Sequence, residues 1–226
     1  MLIIFDCDGV LVDSEPIANR VLSGLLTELG LPVSPEDCRD QFVGLSIPSV
    51  RQQAERILGR ALPHTFEDEL WARDRAAFAT ELKPVAGIAR VLESLPRPFC
   101  VASSGSLEKI RNSLTLTGLL KYFEPNLFSA AQVAHGKPAP DLFLYAAKRM
   151  KTPAADCVVI EDSRAGIQAA RAAGMRVLGF AGAGHAGPGY AALLAGAGAA
   201  EVFENMTDLP RLLGKPRSGG GFSVPE

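Results

Sequence analysis

The chain has no long hydrophobic run, no basic cluster, no CxxC pair and no histidine before His64. Each absence excludes something. The longest apolar stretches are too short to cross a bilayer as a helix. With no run of Lys and Arg and a formal net charge of −2, neither a nucleic-acid surface nor a membrane surface is indicated. Cys7, Cys38, Cys100 and Cys157 are widely spaced. Cys100 and Cys157 fall in or beside apparent strands, where a buried free thiol is the ordinary outcome. The N-terminus runs into an apolar strand without a basic lead, so no signal peptide is expected. The chain thus reads as soluble, reduced and cytoplasmic. Its 226 residues suffice for one generous domain or two modest ones.

What is present is concentrated at the start. In MLIIFDCDGVLVD, apolar Leu2 to Phe5 run straight into Asp6, Asp8 and Gly9. A short apolar run closed by a turn signal predicts a strand buried on both faces, as in a parallel sheet. Such sheets bind ligands beyond the carboxyl ends of their strands, where Asp6 and Asp8 stand. Two neighbouring carboxylates stay ionised only with a cation or a shared proton between them.

From about Ser14 to Lys83 the spacing is helical. Ile17, Val21, Leu25 and Leu29 recur with helical period before Gly30 stops the pattern. Ser34 with Asp37 opens a short helix and Pro48 a third. A fourth spans about Phe66 to Thr80 with Trp71 and Phe78 on one side. Pro84 and Gly87 break the pattern. Strand and helix then alternate. Strands are predicted at Pro98 to Ala102, Asn126 to Ser129, Asp156 to Ile160, Arg176 to Gly179 and Glu201 to Phe203. Helices are predicted from Ser106, over Asp141 to Lys151, and over Ser163 to Ala173. Gly196 and Gly198 read as part of a loose connection of small residues. Alternation of this kind implies parallel pairing with right-handed crossovers. The expected fold is α/β, a Rossmann-like doubly wound parallel sheet core (1–13 and 84–213) with an inserted all-helical cap (14–83). Residues 214–226, rich in Gly, Ser and Pro, read as a disordered tail. A module tied at two points beside a strand-end site is placed to act as a lid.

Four segments carry chemistry: DCDG (6–9), ASSGS (102–106), GKPAPD (136–141) and IEDS (160–163). Singly each is weak. A DxD arises by chance, a lone Lys is usually solvated, Ser103 and Ser104 suit a turn or cap, and Glu161 and Asp162 favour a following helix N-terminus. Their order, three of them after strands and the lysine segment before a helix, makes them a set. Asp6 at a strand end is a candidate nucleophile. Asp8 can protonate a leaving oxygen and then deprotonate water. Glu161, Asp162 and Asp6 are hard oxygen ligands for Mg²⁺, which would offset their repulsion and polarise a phosphoryl oxygen. Ser103 and the amides after it, at Ser104 and Gly105, suit phosphoryl oxygens at a helix N-terminus. Lys137 adds positive charge against the nucleophile and the transferred group.

With DCDGVLVDSEP, VASSGS, GKPAPD and VIEDSRAGI in this order, the chain up to about Leu213 resembles the haloacid dehalogenase superfamily. The branch is that of small phosphatases and beta-phosphoglucomutase-like enzymes. The resemblance implies a phosphoaspartate on Asp6, acid/base catalysis by Asp8 and Mg²⁺ held by Asp6, the Asp8 backbone carbonyl and Asp162. It places Glu161 as ligand or neighbour of the metal, Ser103 at the phosphate and Lys137 at the family lysine. It also turns the cap loop of Gly44, Leu45 and Ser46 toward the substrate. The mutases of the branch carry a histidine near the position of Ala18 and an arginine soon after a Gly-x-Ser turn. Here the histidine is missing and Gly44-Leu45-Ser46 is followed by Ile47, with Arg51 nearby. Both departures favour hydrolysis.

The expected function is therefore a Mg²⁺-dependent phosphatase acting on a small phosphorylated metabolite: a sugar phosphate, a sugar-acid phosphate or phosphoglycolate. A phosphomutase and a catalytically silent phosphate-binding domain are the alternatives. No nucleic-acid or membrane partner is expected, and the chain reads as a monomer or weak homodimer. Among lesser candidates, His135 reads as a loop histidine at the site rim, and His64 and His185 as loop residues. Trp71 reads as cap core and Arg73 and Arg75 as solvated. Cys7 reads as a spacer between the two aspartates.

Overall fold

The computed structural model describes residues 1–42, 45, 47–95 and 98–214. The strand β1 (Leu2–Phe5) has every residue buried, as a run without polar alternation requires. Four helices follow: α1 (Glu15–Glu28), α2 (Pro35–Phe42), α3 (Ile47–Leu58) and α4 (Phe66–Glu81). Then come α5 (Ile88–Ser94), β2 (Phe99–Ser103), α6 (Leu107–Leu116), α7 (Leu120–Phe123) and β3 (Leu127–Ser129). The last third comprises α8 (Asp141–Arg149), β4 (Cys157–Glu161), α9 (Arg164–Ala172), β5 (Arg176–Phe180), α10 (Tyr190–Ala197), β6 (Glu201–Phe203) and α11 (Leu209–Leu213).

The six strands form one sheet in the order β3-β2-β1-β4-β5-β6, with every pairing parallel. In register, Ile4 lies between Cys100 and Val159. Alternate residues of β1 feed two cores. Ile3 and Phe5 pack with Phe99, Phe123 and Ile88 on one face, and Leu2 and Ile4 with Phe143, Ala146 and Ile167 on the other. The chain leaves β1 toward β2 and β3, then returns to β1's other side for β4. That reversal opens the crevice in which doubly wound sheets bind ligands.

The helices α1 to α4 leave from the loop after β1 and have a core of their own, with Leu22, Leu25, Leu26, Phe42, Phe66 and Leu70. The base of this insert is rooted in the sheet: Ile17, Phe78 and Leu82 pack in the same cluster as Phe5. The two connections are bonded to each other. Asp13 N donates to Lys83 O (3.0 Å) and Val85 N to Leu11 O (2.9 Å), so the insert hangs from a short ribbon rather than two loose threads.

The structure corrects one organisational expectation. Gly196 is inside α10, and Gly198 ends that helix with φ of 102°, where glycine avoids the Cβ clash. The segment is rich in Ala and Gly, so it carries no amphipathic pattern, and packing against the sheet decides its state. All four cysteines are buried and free. No described helix is long and apolar enough to cross a membrane.

Candidate active site

Asp6 extends the ladder one residue past β1, its N–H donating to Ile160 O at 3.0 Å. The carboxylate is thereby set beside the end of β4, where Glu161 closes the strand and Asp162 follows. Carboxylate oxygens of Asp6, Glu161 and Asp162 lie within 4.8 Å of one another, all three residues buried. Asp6 Oδ1 is buried without a hydrogen-bond donor among the described residues. It lies 2.9 Å from Lys137 Nζ, in an ion pair outside hydrogen-bond geometry. Lys137 also donates to Glu161 Oε1 at 2.6 Å, and its side chain is only 4% exposed. One lysine thus faces several acids. Burial pushes the Asp6 carboxyl up to about 7, with Lys137 opposing and Glu161 and Asp8 reinforcing. Burial, then Glu161 and Asp6, lift Asp162 well above the carboxylate range. One lysine leaves such a cluster short of positive charge, and its all-oxygen donor set suits a hard divalent cation.

Two glycines make room for it. A Cβ on Gly9 would sit 1.8 Å from Asp162 Oδ2, and its φ is +74°. A Cβ on Gly166 would sit 1.8 Å from Glu161 Oε1. Glu161 Oε2 accepts from Ser163 N (2.8 Å) and Ser163 Oγ (2.9 Å), so the first turn of α9 holds that carboxylate in place.

Asp8 points elsewhere. Its carboxylate accepts from Ser14 Oγ (2.7 Å) and Lys109 Nζ (2.9 Å) and is absent from the acidic triad. Burial would raise its pKa, but Lys109 and the Ser14 hydrogen bond outweigh it and hold Asp8 below the usual range. Ser103 is buried at the end of β2 and Ser104 is exposed. Ser103 Oγ accepts from Gly105 N at 3.2 Å, and Gly105 O accepts from Ser129 Oγ. Ser106 caps α6 by accepting from Lys109 N. Asp6, Asp8, Ser103, Lys109, Lys137 and Asp162 open on one cleft of about 540 Å³ beneath the insert, lined also by Ala18, Asn19, Leu45, Trp71 and Asp74.

The structure therefore brings Asp6, Asp8, Ser103, Ser104, Gly105, Lys137 and Asp162 to one cleft, with Leu45 on its cap side. Glu161 joins them through the acidic triad. Gly44 and Ser46 lie outside the described residues. Trp71 is half-buried and lines the cleft instead of filling the cap core, because its α4 face turns toward the sheet. Arg73 is bound to Glu28 and Glu69, and Arg75 to Glu108, at the exposed surface. His135 is an exposed loop histidine bonded to Asp141. His64 is exposed.

His185 departs most from expectation. It is in a loop, but it is buried, with Nε2 3.3 Å from Asp162 Oδ2 and 3.1 Å from Tyr190 Oη. Tyr190 donates its hydroxyl to Asp162 O, so the His185 proton resides on Nε2. These two residues brace Asp162 from behind, and burial holds the imidazole pKa low. Lys109, Asn19, Glu15 and Asp74 are further polar cleft residues that sequence alone did not single out. A lone polar residue on a helix carries no signal until the partner element is known.

A family model of haloacid dehalogenase-like hydrolases matches residues 1–174. The chain belongs to this family. Beyond the match lie His185 and Tyr190, so the brace on Asp162 is outside the part of the chain that this hydrolase family model covers. Among relatives, the 6-phosphogluconate phosphatase of Escherichia coli is 33% identical over 179 residues, covering 79% of this chain and 81% of its own. The fructose-1-phosphate phosphatase of the same organism is 34% identical, covering 76% and 92%. A haloacid dehalogenase-like protein of unknown function from Agrobacterium tumefaciens has a solved structure that matches with a TM-score of 0.85. It is 41% identical and covers 94% of this chain and 96% of its own.

Proposed function

We propose that the chain is a Mg²⁺-dependent phosphatase of small sugar phosphates that works through a phosphoaspartate on Asp6. It is a phosphoric monoester hydrolase; the metal, the intermediate and the residue roles are this reading's own. One observation carries it: an acidic triad and a buried lysine meet at the crevice between β1 and β4, with a second, separately held aspartate in the same cleft. The relatives' names, phosphatases of 6-phosphogluconate and of fructose 1-phosphate, support the substrate class.

Asp6 attacks phosphorus and the bond to the ester oxygen breaks. Asp8, which must first give up its pairing with Lys109 to carry a proton, supplies it to that oxygen, then takes one from water, which attacks phosphorus and releases Asp6 with inorganic phosphate. Lys137 offsets charge on Asp6 and on the transferred group. Ser103 and the amides of Ser104 and Gly105 receive phosphoryl oxygens, the Gly105 amide exchanging its bond to Ser103 Oγ for one to the substrate. Asp6, the Asp8 carbonyl and Asp162 would hold Mg²⁺, with Glu161 beside them. When bound, the ion supplies the positive charge this site lacks and polarises a phosphoryl oxygen.

Ala18, near the position where the resembling mutases carry a histidine, lines the cleft with a methyl group. This leaves water an approach to the phosphoaspartate and disfavours mutase chemistry. The deciding experiment is release of phosphate from p-nitrophenyl phosphate by the purified protein with Mg²⁺ and with EDTA. Turnover that requires Mg²⁺ and vanishes in Asp6→Asn supports the reading. Full turnover in EDTA, or in a folded Asp6→Asn protein, overturns it.

A further inference from the structure

The cap side of the cleft differs from its floor. Asn19 on α1 and Asp74 on α4 are 6% and 8% exposed, and both line the cleft. Among the described residues, neither Asn19 Nδ2 nor Asp74 Oδ1 has a hydrogen-bond partner. An unpaired buried donor and an unpaired buried acceptor each cost stability, so their presence at a cleft wall points to a ligand that completes them. The donor and acceptor together match hydroxyl groups, which can accept from Asn19 and donate to Asp74.

Charge narrows the class further. Glu15, Glu67 and Asp74 line the cap side, and none has an ion pair among the described residues. The cleft's two lysines are engaged: Lys137 with Asp6 and Glu161, and Lys109 with Asp8, its field shared by Glu15 and Asp74. Arg51, which follows the cap loop in sequence, is bonded to Glu55 and the Leu62 carbonyl and does not line the cleft. Among the described residues lining the cleft, no further Lys or Arg is available to a second anionic group. A carboxylate or second phosphate on the substrate tail would meet like charge in a partly desolvated space.

We infer that Asn19 and Asp74 form the subsite for the non-phosphorylated end of the substrate, and that it selects a neutral polyhydroxylated tail against an anionic one. The preferred ligands are monophosphates of sugars or sugar alcohols, and aldonate phosphates, phosphoglycolate and bisphosphates are disfavoured. This rests on the phosphatase reading above, and it separates the chain from its 6-phosphogluconate phosphatase relative.

The test has two arms. In the first, kcat/KM with Mg²⁺ is compared for fructose 1-phosphate and sorbitol 6-phosphate against 6-phosphogluconate and fructose 1,6-bisphosphate at about pH 8. The neutral tails should lead by about tenfold or more, since an anionic tail would be set against the cap-side carboxylates. In Asp74→Asn the ratio of neutral to anionic substrate should fall by about tenfold, because the near-isosteric amide removes the repulsion and the hydroxyl acceptor charge. Equal kcat/KM values, a lead for 6-phosphogluconate, or an unchanged ratio in Asp74→Asn overturns the inference. In the second arm, calorimetry with the wild-type chain measures binding of the same esters without turnover. Tighter binding of the neutral esters upholds the subsite even where p-nitrophenyl phosphate is not hydrolysed, an outcome that would sink the phosphatase reading alone. Tighter binding of the anionic esters sinks the subsite whatever the turnover.

Discussion

A residue at the end of a buried strand inherits both position and cost. Asp6 is fixed by one backbone bond to Ile160 and loses most of its hydration there. Asp6→Asn keeps the shape and removes the nucleophile, so activity should vanish while the far-UV spectrum and melting temperature hold or rise. Gly9 carries the opposite lesson. Gly9→Ala would force a Cβ into Asp162 at a positive φ, and should cost about 1–3 kcal/mol and most of the activity. Urea denaturation and p-nitrophenyl phosphate turnover check it; wild-type values for both would show that the close approach is dispensable. Asp74 tests the electrostatics. Burial lifts its carboxyl to about 6, with Lys109 lowering and Asp8 raising it, and Glu15 faces the same space. A folded-state pKa above the unfolded one means that stability falls as pH climbs from about 4 through 6. The loss is about 3 kcal/mol for a shift of this size. Asp74→Asn escapes it. The variant should be more stable than wild type by about that amount at pH 8 and equal to it at pH 4, by urea titration in EDTA. No difference at pH 8 would mean that the carboxylate is solvated in the cleft.

At the scale of elements, α4 serves three surfaces at once. Phe66 and Leu70 pack into the insert, Phe78 into the sheet's core, and Trp71 and Asp74 face the cleft. Helical spacing predicted the element and put Trp71 and Phe78 on one side of it, with Trp71 in the cap core. The structure gives Phe78 to the sheet's core and Trp71 to the cleft, because a helix inside an insert has partners on more than one side. Phe78→Ala leaves a void where the insert meets the sheet. It should cost about 3–5 kcal/mol and loosen the cap, raising KM for a sugar phosphate more than for p-nitrophenyl phosphate. Equal KM changes for the two would show that the contact stabilises without orienting the cap. The helix α10 was hidden for another reason. Its Ala- and Gly-rich face has no period, yet it delivers Tyr190 to the back of Asp162.

Across the whole molecule, the acids at the crevice make an unequal bargain: one buried lysine against three buried carboxylates. A cation bound there stabilises the folded state by mass action, by about 2.7 kcal/mol at a hundredfold excess over Kd. Mg²⁺ should therefore raise the melting temperature measured in EDTA and restore activity. Ca²⁺ should bind but inhibit, since its larger and looser coordination misplaces the nucleophile. A melting temperature indifferent to both ions would remove the metal from this site.

The sequence by itself determined the alternation of strands and helices, the insert after β1 and the four segments at the crevice. Apolar runs, caps and glycines are local signals that tertiary contacts here reinforce. Asp6, Asp8, Lys137 and Asp162 were legible because each follows such a signal at the end of a strand or the start of a helix. Only the tertiary structure decided that Asp8 turns to Lys109, that His185 and Tyr190 brace Asp162, and that Asn19 and Asp74 both line the cap side of the cleft with polar atoms unpartnered among the described residues. Asn19 and Asp74 stand on helices more than fifty positions apart, and their chemistry comes from mutual placement and desolvation. Neither quantity exists until the insert has folded onto the sheet.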